Sequence, residues 1–304
     1  GVDIGATTVK LAAVDEAGTI YLRSTIPTQG DPDAQTLVGR IAQAALELRQ
    51  DAESRGYPIE GIGFCVPHFS EGPEWFQRQT NNIPVLEGFP MYAPLAAALG
   101  PSIAVANDIS AAGIAEHMFG KGRDAKRMLF MAIGTGMATC LITEDGLVGY
   151  TWGSTGDTGM IIVDPLGAAD CTCGGRGCLE AYAGGWAIRR RALREVERGK
   201  QTLLADMLAE RGDLEAKDVA EAAEAGDAVA LDIFEQAGYF LGVAFSSFLH
   251  IYTPTLIVLG GGVSQAGELL LAPMRRAMNR LASPWFLARL SGIELSALGK
   301  DGGA

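Results

Sequence analysis

The opening of the chain, VDIGATTVKLAAVDEAGTI from Val2 to Ile20, sets alternating apolar positions on either side of a glycine turn and an acidic turn. A period of two interrupted by turn residues predicts strand, turn, strand, turn, strand. The same order of features returns at MAIGTGMATCLITEDGLV, Met131 to Val148, with IGTG answering IGAT and CLITEDGLV answering LAAVDEAGTI. A β-unit that occurs twice predicts two similar lobes, each opening on a glycine turn, with a cleft between them. The polar, glycine-bearing stretch GKGRDAKR, Gly120 to Arg127, is the expected crossing. It divides the chain into a smaller N-terminal lobe over 1–121 and a larger C-terminal lobe over 122–304, with the extreme C-terminus free to return to the first lobe.

Between the repeats the period changes. Leu37, Ile41, Ala44, Ala45 and Leu48 fall at helical spacing between Asp33 and Arg55. IEGIGFCVP then reads as a strand, MYAPLAAALG as a short helix and SIAVA as a buried strand. NDISAAGIAEHMFG predicts a helix capped by Asn107 or Asp108. From Leu179 to Ile251 the pattern is mostly helical, with breaks at Gly199 and at Arg211-Gly212, and TLIVLGGGVS predicts a short strand running through a glycine turn into a helix. Strand and helix alternate in both halves, which predicts an α/β fold.

Composition alters this picture little. A length of 304 residues suits two domains, and 48% hydrophobic with 20% charged residues argues against long disorder. A net charge of −12 opposes general affinity for nucleic acid or acidic membranes. The most apolar window, YFLGVAFSSFLHIY, is short and serine-bearing for a bilayer span and is expected to be a buried helix. Of five cysteines, three lie in CTCGGRGC, which points to metal ligands in a reducing cytoplasm rather than to disulfides.

Several short motifs carry chemistry. Asp3, Gly5, Thr7 and Lys10 sit on a strand-turn-strand, where backbone N–H groups can cradle phosphate and Asp3 can reach a Mg2+-bound water; a plain hairpin turn is the alternative. Gly134, Thr135 and Gly136 occupy the equivalent point of the repeat, so opposed turns could grip a nucleoside triphosphate. Asp108 projects from the end of a buried strand, where a carboxylate can take a proton from an attacking hydroxyl or merely cap the helix. Gly260, Gly261 and Gly262 suit either a flat ligand such as adenine or a crowded turn. Cys171, Cys173 and Cys178 can supply three thiolates to zinc, leaving the fourth ligand unassigned.

In order and spacing these elements resemble the ROK family of sugar kinases and sugar-responsive repressors, over essentially the whole length. The most specific part is the block from Cys171 through Cys178-Leu179-Glu180. The resemblance implies a two-lobed actin-like ATPase fold, hexokinase-type and ribonuclease H-like, with a duplicated β-unit. It implies ATP and Mg2+ as cofactors, a sugar as substrate, structural Zn2+, and a cytoplasmic homodimer with no nucleic-acid or membrane partner. It further implies Asp108 as the base, Asn82, Asn107, Asp157 and Glu180 as sugar ligands, and a phosphate contact for Lys10.

Departures from the family pattern fall on the sugar side. Gly156-Asp157-Thr158-Gly159-Met160 stands where the family has Gly-Glu-x-Gly-His, so a zinc ligand and two sugar contacts are altered, and Asp170 or a water is expected to complete the metal site. His68 replaces a glycine and is a solvated loop residue or a substitute for that lost His. The chain begins at Gly1 and ends at ALGKDGGA, which suggests trimming at both ends. The expected activity is phosphorylation of a hexose or modified hexose. The alternative is a non-catalytic sugar sensor or regulator, whose helix-turn-helix the resemblance would put before the first strand.

Overall fold

The computed structural model describes residues 1–67, 69–71, 76–78, 83–149, 157–167 and 169–299. His68, Asn82 and the last five positions lie outside the described residues, as does Gly156. The chain separates into two units, one holding Gly1–Arg123 and the other Asp124–Gly146 with the described part of Gly156–Gly299; residues 147–149 belong with the first.

In the first unit, β1 (Val2–Ile4), β2 (Thr8–Val14) and β3 (Ile20–Pro27) follow the alternation read from the sequence. After them come α1 (Ala34–Ser54), β4 (Ile62–Val66), a small hairpin of β5 (Phe69–Glu71) and β6 (Phe76–Arg78), α2 (Tyr92–Leu99), β7 (Ile103–Asn107) and α3 (Asp108–Phe119). The sheet order is β3-β2-β1-β4-β7, antiparallel within the opening hairpin and parallel from β1 through β4 to β7. Asp33 caps α1 by accepting from the Thr36 N–H at 2.8 Å, and Leu37, Val38 and Ile41 are fully buried in the core with Ile4, Leu86 and Leu95. Burying each such side chain stabilises the unit by about 1.5–3 kcal/mol before chain entropy is counted.

The second unit repeats the arrangement with β8 (Arg127–Ile133), β9 (Met137–Thr143) and β10 (Gly146–Leu147). The helices α4 (Glu180–Ala183), α5 (Gly185–Glu197), α6 (Leu203–Arg211), α7 (Ala216–Glu224) and α8 (Ala228–Tyr252) intervene. Then come β11 (Leu256–Gly260), α9 (Glu268–Leu281), α10 (Pro284–Leu287) and β12 (Gly292–Leu295). Its sheet order, β10-β9-β8-β11-β12, matches the first sheet position for position, with β8, β11 and β12 parallel. The duplicated β-unit is therefore a duplicated sheet.

The apolar window expected to be short is part of a helix of 25 residues, long enough to cross a membrane by length and composition, with half of its most apolar stretch buried in the protein. Its face packs on α9, because Gly238 and Gly242 let the backbones approach. A Cβ at Gly238 would stand 2.6 Å from the Leu270 carbonyl oxygen, and one at Gly242 would stand 2.5 Å from that of Met274.

Candidate active site

The candidate catalytic side chains of the first unit are placed by strand register. Asp3 on β1 lies beside Cys65 on β4, and Val66 lies beside Asn107 on β7. Parallel strands end on the same edge, so Asp3, Cys65 and Asn107-Asp108 emerge together there. Lys10, opposite Asp3 on the antiparallel β2, donates from Nζ to its Oδ2 at 3.2 Å. Between β1 and β2, Gly5 makes the turn: its N–H donates to the Thr8 carbonyl at 3.1 Å, and a Cβ would stand 2.9 Å from that oxygen. Thr7 at the turn is exposed.

The helix cap is Asn107, which has extended backbone and whose side-chain Oδ1 accepts the Ile109 N–H at 3.0 Å. Asp108 is the first helical residue, half-buried, with Oδ1 2.9 Å from the same N–H. Asn107 thus takes the capping role and leaves the acid at the end of the sheet. Cys65 has no sequence signal beyond its strand. Burial, then the nearby carboxylates of Asp3 and Asp108, push its thiol well above the usual cysteine range, so it stays protonated and donates to Asp3.

Two glycine turns adjoin in the second unit. Gly134 to Gly136 link β8 to β9, with Thr135 and Gly136 exposed at the tip. Gly185, first residue of α5, donates its N–H to the Gly134 carbonyl at 2.8 Å. The amino end of a 13-residue helix therefore faces this turn, a setting that favours anions. Gly260 and Gly261 pack on β8: a Cβ at Gly260 would meet the Phe130 ring at 2.8 Å, and one at Gly261, where φ is 85°, would meet the Ile133 carbonyl oxygen at 2.4 Å. Gly262 faces open space. It borders a groove of ≈ 200 Å³ formed with Ala216, Ala220 and Glu224 of α7, and with Val263 and Gln265. Gly260 and Gly261 thus meet the crowded-turn reading, while Gly262 borders the groove.

The cysteine loop gathers its thiols. The sulfur atoms of Cys171, Cys173 and Cys178 lie within 4.8 Å of one another, and no other described His, Cys, Asp or Glu joins the group. Cys173 Sγ is 3.7 Å from Cys178 Sγ. Zn–S bonds of about 2.3 Å give a tetrahedral edge of about 3.8 Å. Donor type and spacing therefore fit zinc. The Asp170 carboxylate is instead on Arg176 Nε at 2.9 Å, and Met160 is 44% exposed. Replacing Cys173 with Ser is expected to remove bound zinc, measured as metal per chain; equal metal in variant and parent would defeat the triad.

Asp157 is exposed at the start of a single 3-10 turn. Glu180 is buried, and protein donors occupy both of its oxygens: Met137 N–H on Oε2 at 3.0 Å, with Thr172 Oγ1 and Trp186 Nε1 on Oε1 at 3.2 and 3.1 Å. A carboxylate has about four acceptor positions, so these donors leave Glu180 little capacity for a substrate hydroxyl. Trp186 and Thr172 carried no mark in the sequence.

The ROK family model matches residues 1–304. A glucokinase of Halalkalibacterium halodurans is 34% identical over 303 residues, covering 100% of this chain and 91% of that protein. Among solved structures, a ROK family glucokinase from Streptomyces griseus, in complex with glucose and AMPPNP, superposes with a TM-score of 0.77 at 29% identity, covering 100% of this chain and 95% of the other. A ROK family transcriptional regulator, a homologue of the E. coli MLC protein, superposes with a TM-score of 0.88 at 23% identity over 99% of this chain and 74% of its own, a likeness of fold.

Proposed function

We propose, for a chain that belongs to the ROK family, that it transfers the γ-phosphoryl group of ATP to a hydroxyl of a hexose or modified hexose. The fold is α/β, the actin-like ATPase fold of hexokinase type. The observation that carries the reading is the β2-β1-β4-β7 register, which gathers Asp3, Lys10, Cys65, Asn107 and Asp108 at one sheet edge.

In this reading Asp108 accepts the proton of the attacking sugar hydroxyl, while Asn107 orients the acid and offers its amide to the sugar. Asp3, steadied by Lys10 and by the Cys65 thiol, would hold Mg2+ through a water, and the Ala6 and Thr7 N–H groups of the turn would face phosphate, the Gly5 N–H being taken by the Thr8 carbonyl. Bound there, Mg2+ would supply positive charge against the negative charge developing on the transferred phosphoryl group. In the second unit, the Gly134–Gly136 turn and the amino end of α5 receive phosphate oxygens. The groove beside Gly262 takes the adenine. Asn82 and Asp157 are the sugar ligands in this proposal, joined by Glu180 only through what its bonded carboxylate can spare.

Met160 bears on the sugar class. A thioether cannot donate a hydrogen bond, so the site is expected to tolerate a missing or substituted hydroxyl where the family pattern has His. Release of ADP from Mg-ATP across hexoses, deoxyhexoses, amino sugars and N-acyl sugars tests the function. Turnover on at least one sugar is expected. A sugar-dependent rise in melting temperature with no turnover on any of them would replace the kinase with a sugar sensor.

A further inference from the structure

One buried carboxylate joins four parts of the second unit. Glu180 accepts the Met137 N–H directly after the Gly134–Gly136 turn, the hydroxyl of Thr172 between two cysteines of the thiol triad, and the indole N–H of Trp186 in the first turn of α5. The fourth part is the 3-10 turn at Thr158–Met160, since a Cβ at Gly159 would stand 3.2 Å from Oε2. A Cβ at Gly184 would stand 3.3 Å from the Thr135 carbonyl oxygen, so the glycine turn is seated on the α4–α5 junction as well. Among the described residues no cation pairs with Glu180; its charge rests on these dipoles. Loss of any one is therefore felt by the others, because each remaining bond carries more of a buried charge.

We infer that Glu180 is a positioning residue that couples the cysteine loop to the Gly134–Gly136 turn, so that metal held by the thiol triad tightens the turn that receives phosphate. With the three thiolates fixed on one ion, Thr172 is held in place and its hydroxyl aims Glu180 Oε1. The same carboxylate then presents Oε2 to the Met137 N–H. With the loop released, Thr172 drifts and the carboxylate rotates about a torsion shared by both oxygens. The coupling itself stands on these contacts alone; its consequence for nucleotide rests on the phosphate role proposed above.

Thr172 is exposed, so Thr172→Val deletes the hydroxyl while keeping shape and fold. Amide hydrogen exchange over residues 134–137 is read in zinc-loaded and chelator-treated protein, without nucleotide, for the parent and for Thr172→Val at equal zinc content. Chelation is expected to speed exchange in the parent by roughly tenfold, the scale of one hydrogen bond to a charged group. In Thr172→Val the response to chelation is expected to vanish, and in Glu180→Gln exchange is expected to be fast in both metal states. Unchanged exchange on chelating the parent overturns the coupling, as does a Thr172→Val response equal to the parent's. AMPPNP affinity measured on the same samples should fall with rising exchange. If exchange responds while AMPPNP fails to bind in any state, the coupling stands and the nucleotide role of the turn fails.

Discussion

Replacing Asp108 with Ala is expected to lower kcat for sugar phosphorylation by about 10²–10⁴-fold, the usual worth of a positioned general base, while sugar affinity changes only severalfold. The fold should tolerate the change, because Asn107 caps α3 and keeps its own bond to the Ile109 N–H. Asp108 adds a second acceptor to that N–H, whose loss costs about 1 kcal/mol or less. Turnover and stability therefore separate. Sugar binding is read by calorimetry on the same variant that is assayed for ADP release. Near-parent kcat in Asp108→Ala would show that the base is another group, and a large loss of sugar affinity at unchanged kcat would make Asp108 a sugar ligand instead.

The second large effect is one of helix packing. Gly242→Leu drives a side chain into the α8–α9 crossing, where even a Cβ would stand 2.5 Å from the Met274 carbonyl oxygen and 2.4 Å from the Ala277 Cβ. Backbone cannot yield as a flexible side chain does, so the helices must separate and uncover their shared core. Overpacking of this kind costs about 3 kcal/mol or more, a fall in melting temperature of roughly 6–12 °C for a unit of this size. Gly39→Ala in α1 is the contrasting change, because a Cβ there meets nothing within 4 Å. Alanine's better helix propensity should raise stability by up to about 1 kcal/mol. Melting of Gly242→Leu at the parent temperature would mean that the two helices do not meet at that residue.

Much of the fold could be read in the chain because its signals are local. Alternation around Gly5 and Gly134 marked both hairpins, and the spacing of Leu37, Ile41 and Leu48 marked α1. Asn107 and Asp108 showed where α3 starts, although the choice between them needed the φ and ψ of Asn107. The window YFLGVAFSSFLHIY was legible as a buried helix, and α8 continues upstream of it through AVALDIF, apolar at every position but Asp232. The Cys171, Cys173 and Cys178 triad was legible because a loop this short brings its thiols together by chain connectivity.

Cys65 and Glu180 mark the limit of such reading. Cys65 sits in unremarkable local sequence and Glu180 closes the most specific motif of the chain, yet the contacts of each come from partners distant along the chain: Asp3 for Cys65, and Met137 for Glu180. By itself the sequence determined the periodicities, the turns, the repeat and the residue types able to do phosphoryl transfer, all of which depend on neighbours along the chain. Only the tertiary structure decided which of those residues meet at one sheet edge, which of three glycines faces open space, and which carboxylate is already bonded, because strand register and helix packing fix contacts between segments whose separation in sequence carries no trace of their distance in space.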